Sequence, residues 1–165
     1  DPEARKEVER LEDLFDDKLG PATRRWAYFH LLPDNEATVR TLRLTVGRVA
    51  GAALPVLLPF MRRLIGRLYR INPQSAARSH QRIQDVFGQV NDLLKDGRAY
   101  LVGGRFSAAD LTFASLSMPM IFPDGYGVPM PRLAELPAEM VRIIESFRQT
   151  PAGDFAQRMY REHRR

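Results

Sequence analysis

One helical face between positions 76 and 94 constrains the fold of this chain more than any other stretch. Its residues recur in steps of four, three, four, three and four, the spacing of an α-helix with one buried side. They are Ala76, His80, Ile83, Phe87, Val90 and Leu94. Asn72-Pro73 supplies a capping side chain and a proline at the first helical position, and Gly97 marks the end. The stretch therefore predicts a long amphipathic helix packed against a core.

Comparable stripes predict helices along most of the chain. Asp1-Pro2-Glu3 is typical of a helix start, and the pattern that follows predicts one long helix over residues 2–32, kinked at Gly20-Pro21. Further helices are predicted over 35–50, 54–71, 108–117 and 138–149, with a last one beginning at Thr150-Pro151. Residues 100–106 resemble a strand, but the chain offers no second strand to pair with it, so an ordered loop is expected.

The segment 118–137 has a different composition from the helical stretches. It holds five prolines and two glycines, which predicts a long irregular connection. With 165 residues, 44% of them hydrophobic, the chain is long enough for one sizeable core. The expected fold is therefore a single all-α domain over residues 1–165.

Composition excludes several classes of function. Cysteine is absent, which excludes disulfides, thiolate zinc sites and a cysteine nucleophile within these residues. The net charge of +5 comes from 25 basic and 20 acidic residues, but the arginines are spread along the chain, so no nucleic-acid partner is expected. The longest apolar run, residues 49–61, would span about 20 Å as a helix, too short for a bilayer core of about 30 Å. The chain starts at Asp1 without a signal sequence, so we expect a mature product or an excised fragment.

Few groups in the sequence are suited to catalysis. No two of the three histidines have the i, i+4 spacing of a helical metal site, so no metal ion is expected. His80 lies on the apolar helix face and is expected in the core, His163 is expected in a solvated tail, and His30 alone falls near a candidate pocket. Asp16-Asp17 point in different directions on a helix and cannot share a proton. No phosphate-binding glycine loop or serine elbow is present, so no catalytic residue is assigned.

Two stretches combine cations with apolar or aromatic residues. Residues 24–30 could hold an anionic, partly apolar ligand with Tyr28 lining the pocket, or could be core aromatics beside hydrated arginines. Residues 54–70 alternate apolar and cationic positions, as interfacial membrane helices do. Packing against another domain or subunit explains the same pattern and is preferred, so a membrane partner is not expected.

The most specific motif is Ser107-Ala-Ala-Asp110. It is a capping box in which each side chain bonds the backbone amide of the other, flanked by Phe106 and Leu111 as a hydrophobic staple. The box follows a Leu-Val-Gly-Gly turn within residues 100–112. This motif closely resembles the C-terminal helical domain of cytosolic-type glutathione S-transferases. Residues 11–28 resemble the first long helix of that domain, and residues 150–165 resemble its closing segment in bacterial members.

The resemblance implies an all-α, glutathione S-transferase C-terminal-like helical bundle from a cytoplasmic, homodimeric detoxification enzyme, paired through its first two helices. In that family a preceding thioredoxin-like domain binds glutathione, the co-substrate, and activates its thiol, and no part of this sequence resembles that domain. Asp1 falls near the expected linker. The resemblance therefore implies that the parent protein conjugates glutathione to a small hydrophobic electrophile and that this chain alone is inactive.

The resemblance also assigns roles to individual residues. Ser107 and Asp110 match the family's structural capping box. Arg25 and Tyr28, on the first long helix, match the general location of the electrophile-binding wall, and Met118 and Phe122 are weaker candidates for the same wall. Two alternatives remain open, because the same helical fold also serves as a non-catalytic docking module, and residues 54–70 would suit a peripheral membrane-binding domain.

Overall fold

The computed structural model describes residues 1–33, 48–127 and 130–164, and every regular element in those ranges is helical. The helices are α1 (Pro2–Leu14), α2 (Gly20–Leu31), α3 (Arg48–Leu68), α4 (Pro73–Leu94), α5 (Ala108–Leu116), α6 (Met118–Ile121), α7 (Ala138–Arg148) and α8 (Pro151–His163). A π-helical turn, Phe15–Leu19, joins α1 to α2, and a 3-10 turn, Leu133–Glu135, precedes α7. The all-α prediction is confirmed for the described residues.

The first two helices form one continuous rod through Gly20-Pro21. The Gly20 N–H donates to the Phe15 carbonyl, five residues back, so the turn before the proline is wider than an α-helical turn. Pro21 lies in the first turn of α2, where its missing N–H costs little. The predicted helix over residues 2–32 is therefore present, and the wide turn takes the place of a break.

The core is built around α4, which packs most closely against α2 and α8. Four positions of its predicted face are buried, namely Ala76, Ile83, Phe87 and Val90, whereas His80 and Leu94 are half-buried. Aromatic rings link the helices: Phe87 lies 5.3 Å from Phe113 and 4.7 Å from Phe147 between ring centroids. Each fully buried side chain of this size contributes about 1.5–3 kcal/mol.

Capping side chains fix the start of α4 where the sequence predicted it. The Ser75 N–H donates to Asn72 Oδ1 at 2.8 Å, and the Asn72 N–H donates back to Ser75 Oγ at 3.0 Å. These bonds satisfy backbone donors that a helix start otherwise leaves free.

Two predicted boundaries in the middle of the chain are wrong. The predicted helix over 35–50 lies outside the described residues except for 48–50, which belong to α3. That helix begins at Arg48, not at residue 54, and it continues past Pro55 and Pro59. Because these prolines are four residues apart, their missing N–H groups lie on one side of the helix, and the other side keeps its hydrogen bonds.

The end of α3 is a left-handed turn at Arg70. Arg70 has φ 49°, and the Ile71 N–H donates to the Gly66 carbonyl at 2.8 Å, the six-to-one bond of a Schellman motif. Most helices place glycine at such a position because a side chain there is strained. The predicted end at residue 71 is therefore two or three residues late.

Residues 118–137 contain more structure than their prolines predicted. Pro119 is accommodated in the first turn of α6, and Phe122, at φ 42°, ends that helix in the left-handed region. Arg148 of α7 holds this end, since its Nε donates to the Ile121 carbonyl at 2.6 Å. The described residues of the segment, 118–127 and 130–137, therefore include two short helical turns.

The junction between α7 and α8 requires glycine. Thr150 caps α8 by accepting from the Gly153 N–H at 3.0 Å. A Cβ at Gly153 would overlap the carbonyl oxygen of Phe147, so only glycine allows the two helices to meet this closely. This contact brings the C-terminal helix onto the core.

Candidate functional site

The capping box fixes the helix that forms one side of the candidate site. Asp110 is fully buried and its Oδ2 accepts from the Ser107 N–H at 2.7 Å and from the Ser107 hydroxyl at 2.6 Å. Its Oδ1 accepts from the Leu101 N–H at 2.7 Å. One carboxylate therefore holds both the start of α5 and the preceding loop. Ser107 and Asp110 lie at the start of α5 in the arrangement of a capping box.

A cavity of about 340 Å³ opens between α5 and the end of α8. We call it the α5–α8 cavity. Its lining is mostly apolar and comprises Phe106, Leu111, Ala114, Ser115, Met159, Tyr160, His163 and Arg164. Leu111 is 55% exposed, an unusual state for a large apolar side chain beside a cavity. A cavity of this size with few polar groups is typical of sites for small apolar ligands.

The last turn of α8 forms the polar end of this cavity. The His163 ring stacks on Phe106 with 4.1 Å between centroids and 19° between planes. The Arg164 guanidinium lies over the rings of Tyr126 and Tyr160, 5.0 and 5.7 Å from their centroids. Residues 161–164 are exposed, as the sequence predicted for the tail that contains His163, but aromatic neighbours hold the side chains of His163 and Arg164 against the domain.

Tyr160 is the polar group nearest the interior of the cavity. Burial, reinforced by the neighbouring Tyr126, raises the pKa of the Tyr160 phenol to about 12, and Arg164 only partly opposes the shift. The hydroxyl therefore stays protonated at neutral pH and can donate a hydrogen bond to a ligand.

The two predicted wall residues on α2 contact other helices. Arg25 donates from Nε to the Tyr69 carbonyl at 3.0 Å and from its guanidinium to Ser79 Oγ at 3.2 Å. Tyr28 packs edge-on against Tyr69, with 5.4 Å between ring centroids. Arg25 and Tyr28 therefore link α2 to α4 and to the chain that follows α3, and neither lines the α5–α8 cavity.

The other two predicted wall residues flank α6. Met118 begins that helix, and Phe122, which follows it, lines a separate cavity of about 670 Å³ together with Arg148 and loop residues 123–127 and 130–133. The structure thus places the four predicted residues in different surroundings. Sequence reasoning did not select the α5–α8 cavity, although it named Phe106 and Leu111 as a staple and predicted the last helix, which begins at Thr150-Pro151.

Histidines lie at more cavities than the sequence indicated. His30 and His80 both line a cleft between α2, α4 and α7, so His30 is not the single histidine near a pocket. Among the described residues, no group of three or more histidine, aspartate or glutamate side chains could hold a metal ion. Within the same ranges, no helix combines the length and apolarity needed to cross a bilayer.

Comparison with known families gives one match. Residues 73–134 match the family model described as Glutathione S-transferase, C-terminal domain, a segment that runs from the start of α4 into the 3-10 turn and includes the capping box. No curated protein and no solved structure matches the chain. The family match and the all-helical fold of the described residues support a glutathione S-transferase C-terminal helical domain, as the Ser107 and Asp110 motif predicted.

Proposed function

We propose that this glutathione S-transferase C-terminal helical domain supplies the apolar wall for a small hydrophobic electrophile in a glutathione-conjugating parent protein. The observation that carries the proposal is the α5–α8 cavity, which lies directly beside the family's capping motif. Leu111 offers an exposed apolar surface at its edge. The four residues predicted from the family do not line this cavity. They are Arg25, Tyr28, Met118 and Phe122. They would form other parts of the wall only if a further domain or a ligand bridged them.

The chemistry that this domain can contribute is positioning. Conjugation requires the thiolate of glutathione, and in the proposal this domain orients the electrophile and excludes water but does not activate the thiol. In the proposal, a preceding thioredoxin-like domain binds glutathione and lowers the pKa of its thiol. The protonated Tyr160 hydroxyl would donate to a polar substituent of the electrophile.

Ligand binding to the isolated chain tests this role. We would titrate residues 1–165 with 1-chloro-2,4-dinitrobenzene and follow binding by the NMR shifts of the α5 and α8 amides. We expect saturable shifts that Leu111→Glu weakens at least about fivefold, because a carboxylate would enter the apolar wall. Leu64→Glu is the matched control, since both leucines are 55% exposed but Leu64 lies on α3.

The same chain should show no conjugation of this electrophile to glutathione above the uncatalysed rate. Robust turnover would contradict the proposed division of labour between two domains. Equal effects of Leu111→Glu and Leu64→Glu on the titration would contradict the assignment of the site to the α5–α8 cavity.

Docking is a second candidate function, and one observation favours it. Four large apolar residues on α3 are 50–70% exposed and follow steps of three, four and four, so they share one face. They are Leu57, Phe60, Leu64 and Leu68. Exposed apolar faces of this kind mark interaction surfaces. A partner subunit, as in the dimers expected for the family, would bury this face.

Sedimentation equilibrium tests whether the chain self-associates through the exposed face of α3. We expect a concentration-dependent dimer that Leu64→Glu converts to monomer while Leu111→Glu does not. A chain that stays monomeric at all concentrations would contradict self-association through α3. Binding to anionic phosphatidylglycerol vesicles that high salt abolishes would instead support the membrane alternative.

A further inference from the structure

A second cavity, of about 380 Å³, lies between α2, α4 and α7. We call it the histidine cleft. Its lining includes Trp26, Phe29, His30, His80, Gln81 and Glu139. It is separate from the α5–α8 cavity, because the two share no lining residue. Its volume lies within the range of small-molecule sites.

Aromatic rings form one side of the histidine cleft. The His30 ring lies 4.7 Å from the Trp26 ring and 5.2 Å from the Phe29 ring, between centroids. Trp26 is almost fully buried and is therefore held rigidly by the core. The partly exposed Phe29 ring offers a face of the kind that attracts cations.

The electrostatics of the cleft also favour a cation. Burial lowers the pKa of His30 and of His80, and His80 further disfavours a charge on His30. Both imidazoles are therefore neutral at pH 7, although the Glu139 carboxylate partly opposes the shift at His30. Among the described residues that line the cleft, Glu139 alone is charged at that pH, in a chain whose net charge is +5.

We propose that the histidine cleft binds a small organic ammonium ion with an aromatic or apolar body. The ammonium group would pair with the exposed Glu139 carboxylate and donate to the Gln81 carbonyl oxygen or to an unprotonated imidazole nitrogen. The body of the ligand would pack against the partly exposed rings of Phe29 and His30. This proposal is independent of the proposed electrophile wall. It concerns different residues, and its ligand is a cation, whereas the wall would bind an apolar electrophile.

The test uses three probes with the same phenyl body and different charges. They are 2-phenylethylammonium, the neutral 2-phenylethanol and the anionic phenylacetate, each titrated into residues 1–165 at pH 7.5. Trp26 is the only tryptophan in the sequence, so its fluorescence reports on this cleft, and calorimetry gives the affinities. We expect the ammonium to bind about tenfold more tightly than the alcohol, and the carboxylate to bind least.

Two variants on α7 distinguish the effect of the Glu139 carboxylate on ligand binding from the effect of the net charge of the protein. In Glu139→Gln the affinities for the ammonium and the alcohol should become nearly equal. In Glu145→Gln the ratio of the two affinities should not change. Glu145 is the matched control because it is an exposed glutamate on the same helix that does not line the cleft.

The pH dependence gives an independent readout. Lowering the pH until His30 and His80 are protonated should weaken ammonium binding, in the wild type and in Glu139→Gln, because the two imidazolium groups place like charge beside the ligand. Equal affinity for ammonium and alcohol would overturn the proposal. It would also be overturned by equal effects of the two glutamine variants, or by ammonium binding that leaves Trp26 fluorescence unchanged.

Discussion

Replacement of Asp110 tests whether one buried carboxylate organises the start of α5. Asp110→Ala removes the acceptor of three hydrogen bonds of 2.6–2.7 Å, two of them from backbone N–H groups. The Leu101 N–H lies in a residue that is 1% exposed, so water cannot easily replace the lost partner. An unpaired buried donor costs about 1–3 kcal/mol, and we therefore expect a loss of about 3–5 kcal/mol from the two backbone donors. Ser107→Ala removes only the hydroxyl and should cost about 1 kcal/mol.

Urea denaturation followed by far-UV circular dichroism measures both losses. The midpoint should fall most for Asp110→Ala, less for Asp110→Asn, which keeps one acceptor oxygen, and least for Ser107→Ala, with similar slopes throughout. Asp13→Ala, at an exposed position of α1, is the control and should change the free energy of unfolding by less than about 0.5 kcal/mol. A loss for Asp110→Ala no larger than that for Ser107→Ala would refute the argument.

Four further predictions concern single residues in other parts of the fold. Arg70→Gly should raise the free energy of unfolding by about 1 kcal/mol in urea, because it relieves a left-handed side chain; a destabilised variant would contradict this. Gly153→Ala should lower it by about 3 kcal/mol or more in the same assay, and a loss below about 1 kcal/mol would show that the helices can separate freely. Since burial lowers the folded pKa values of His30 and His80, the unfolded chain takes up protons first; the urea midpoint should fall as the pH drops below about 6.5, and less steeply in His30→Gln. The phenolate absorbance at about 295 nm that Tyr160→Phe removes should titrate at about 12, and titration near the ordinary value of about 10 would contradict the burial argument.

Local chemistry explains which parts of the fold were predictable. Asn72-Pro73 and the Ser107 and Asp110 pair specify helix starts through bonds over three residues, so sequence spacing alone locates them. Prolines were less informative, because one in the first turn of a helix costs little and one further along removes only a single bond. For that reason α3 begins at Arg48, ahead of Pro55, although its start was predicted at residue 54, and α6 forms in a segment whose prolines predicted an irregular connection.

The α5–α8 cavity could not be predicted in this way. It joins Leu111 to Met159 and His163, residues about fifty positions apart that meet because Gly153 allows α8 to approach the core. The histidine cleft likewise depends on α2, α4 and α7 converging. Nothing in the spacing of His30 and His80 indicates that their rings face one cavity.

The π-helical turn Phe15–Leu19 makes the length of this rod as important as its composition. The turn holds one residue more than an α-helical turn, so deleting one residue from it would leave an ordinary α-turn with α2 nearly in its present orientation relative to α1. Inserting a further residue would instead rotate α2 by about 100°, and Trp26 would leave the core and Arg25 would lose its reach to Ser79. Chains related to this one should therefore lose a position in this turn more readily than they gain one.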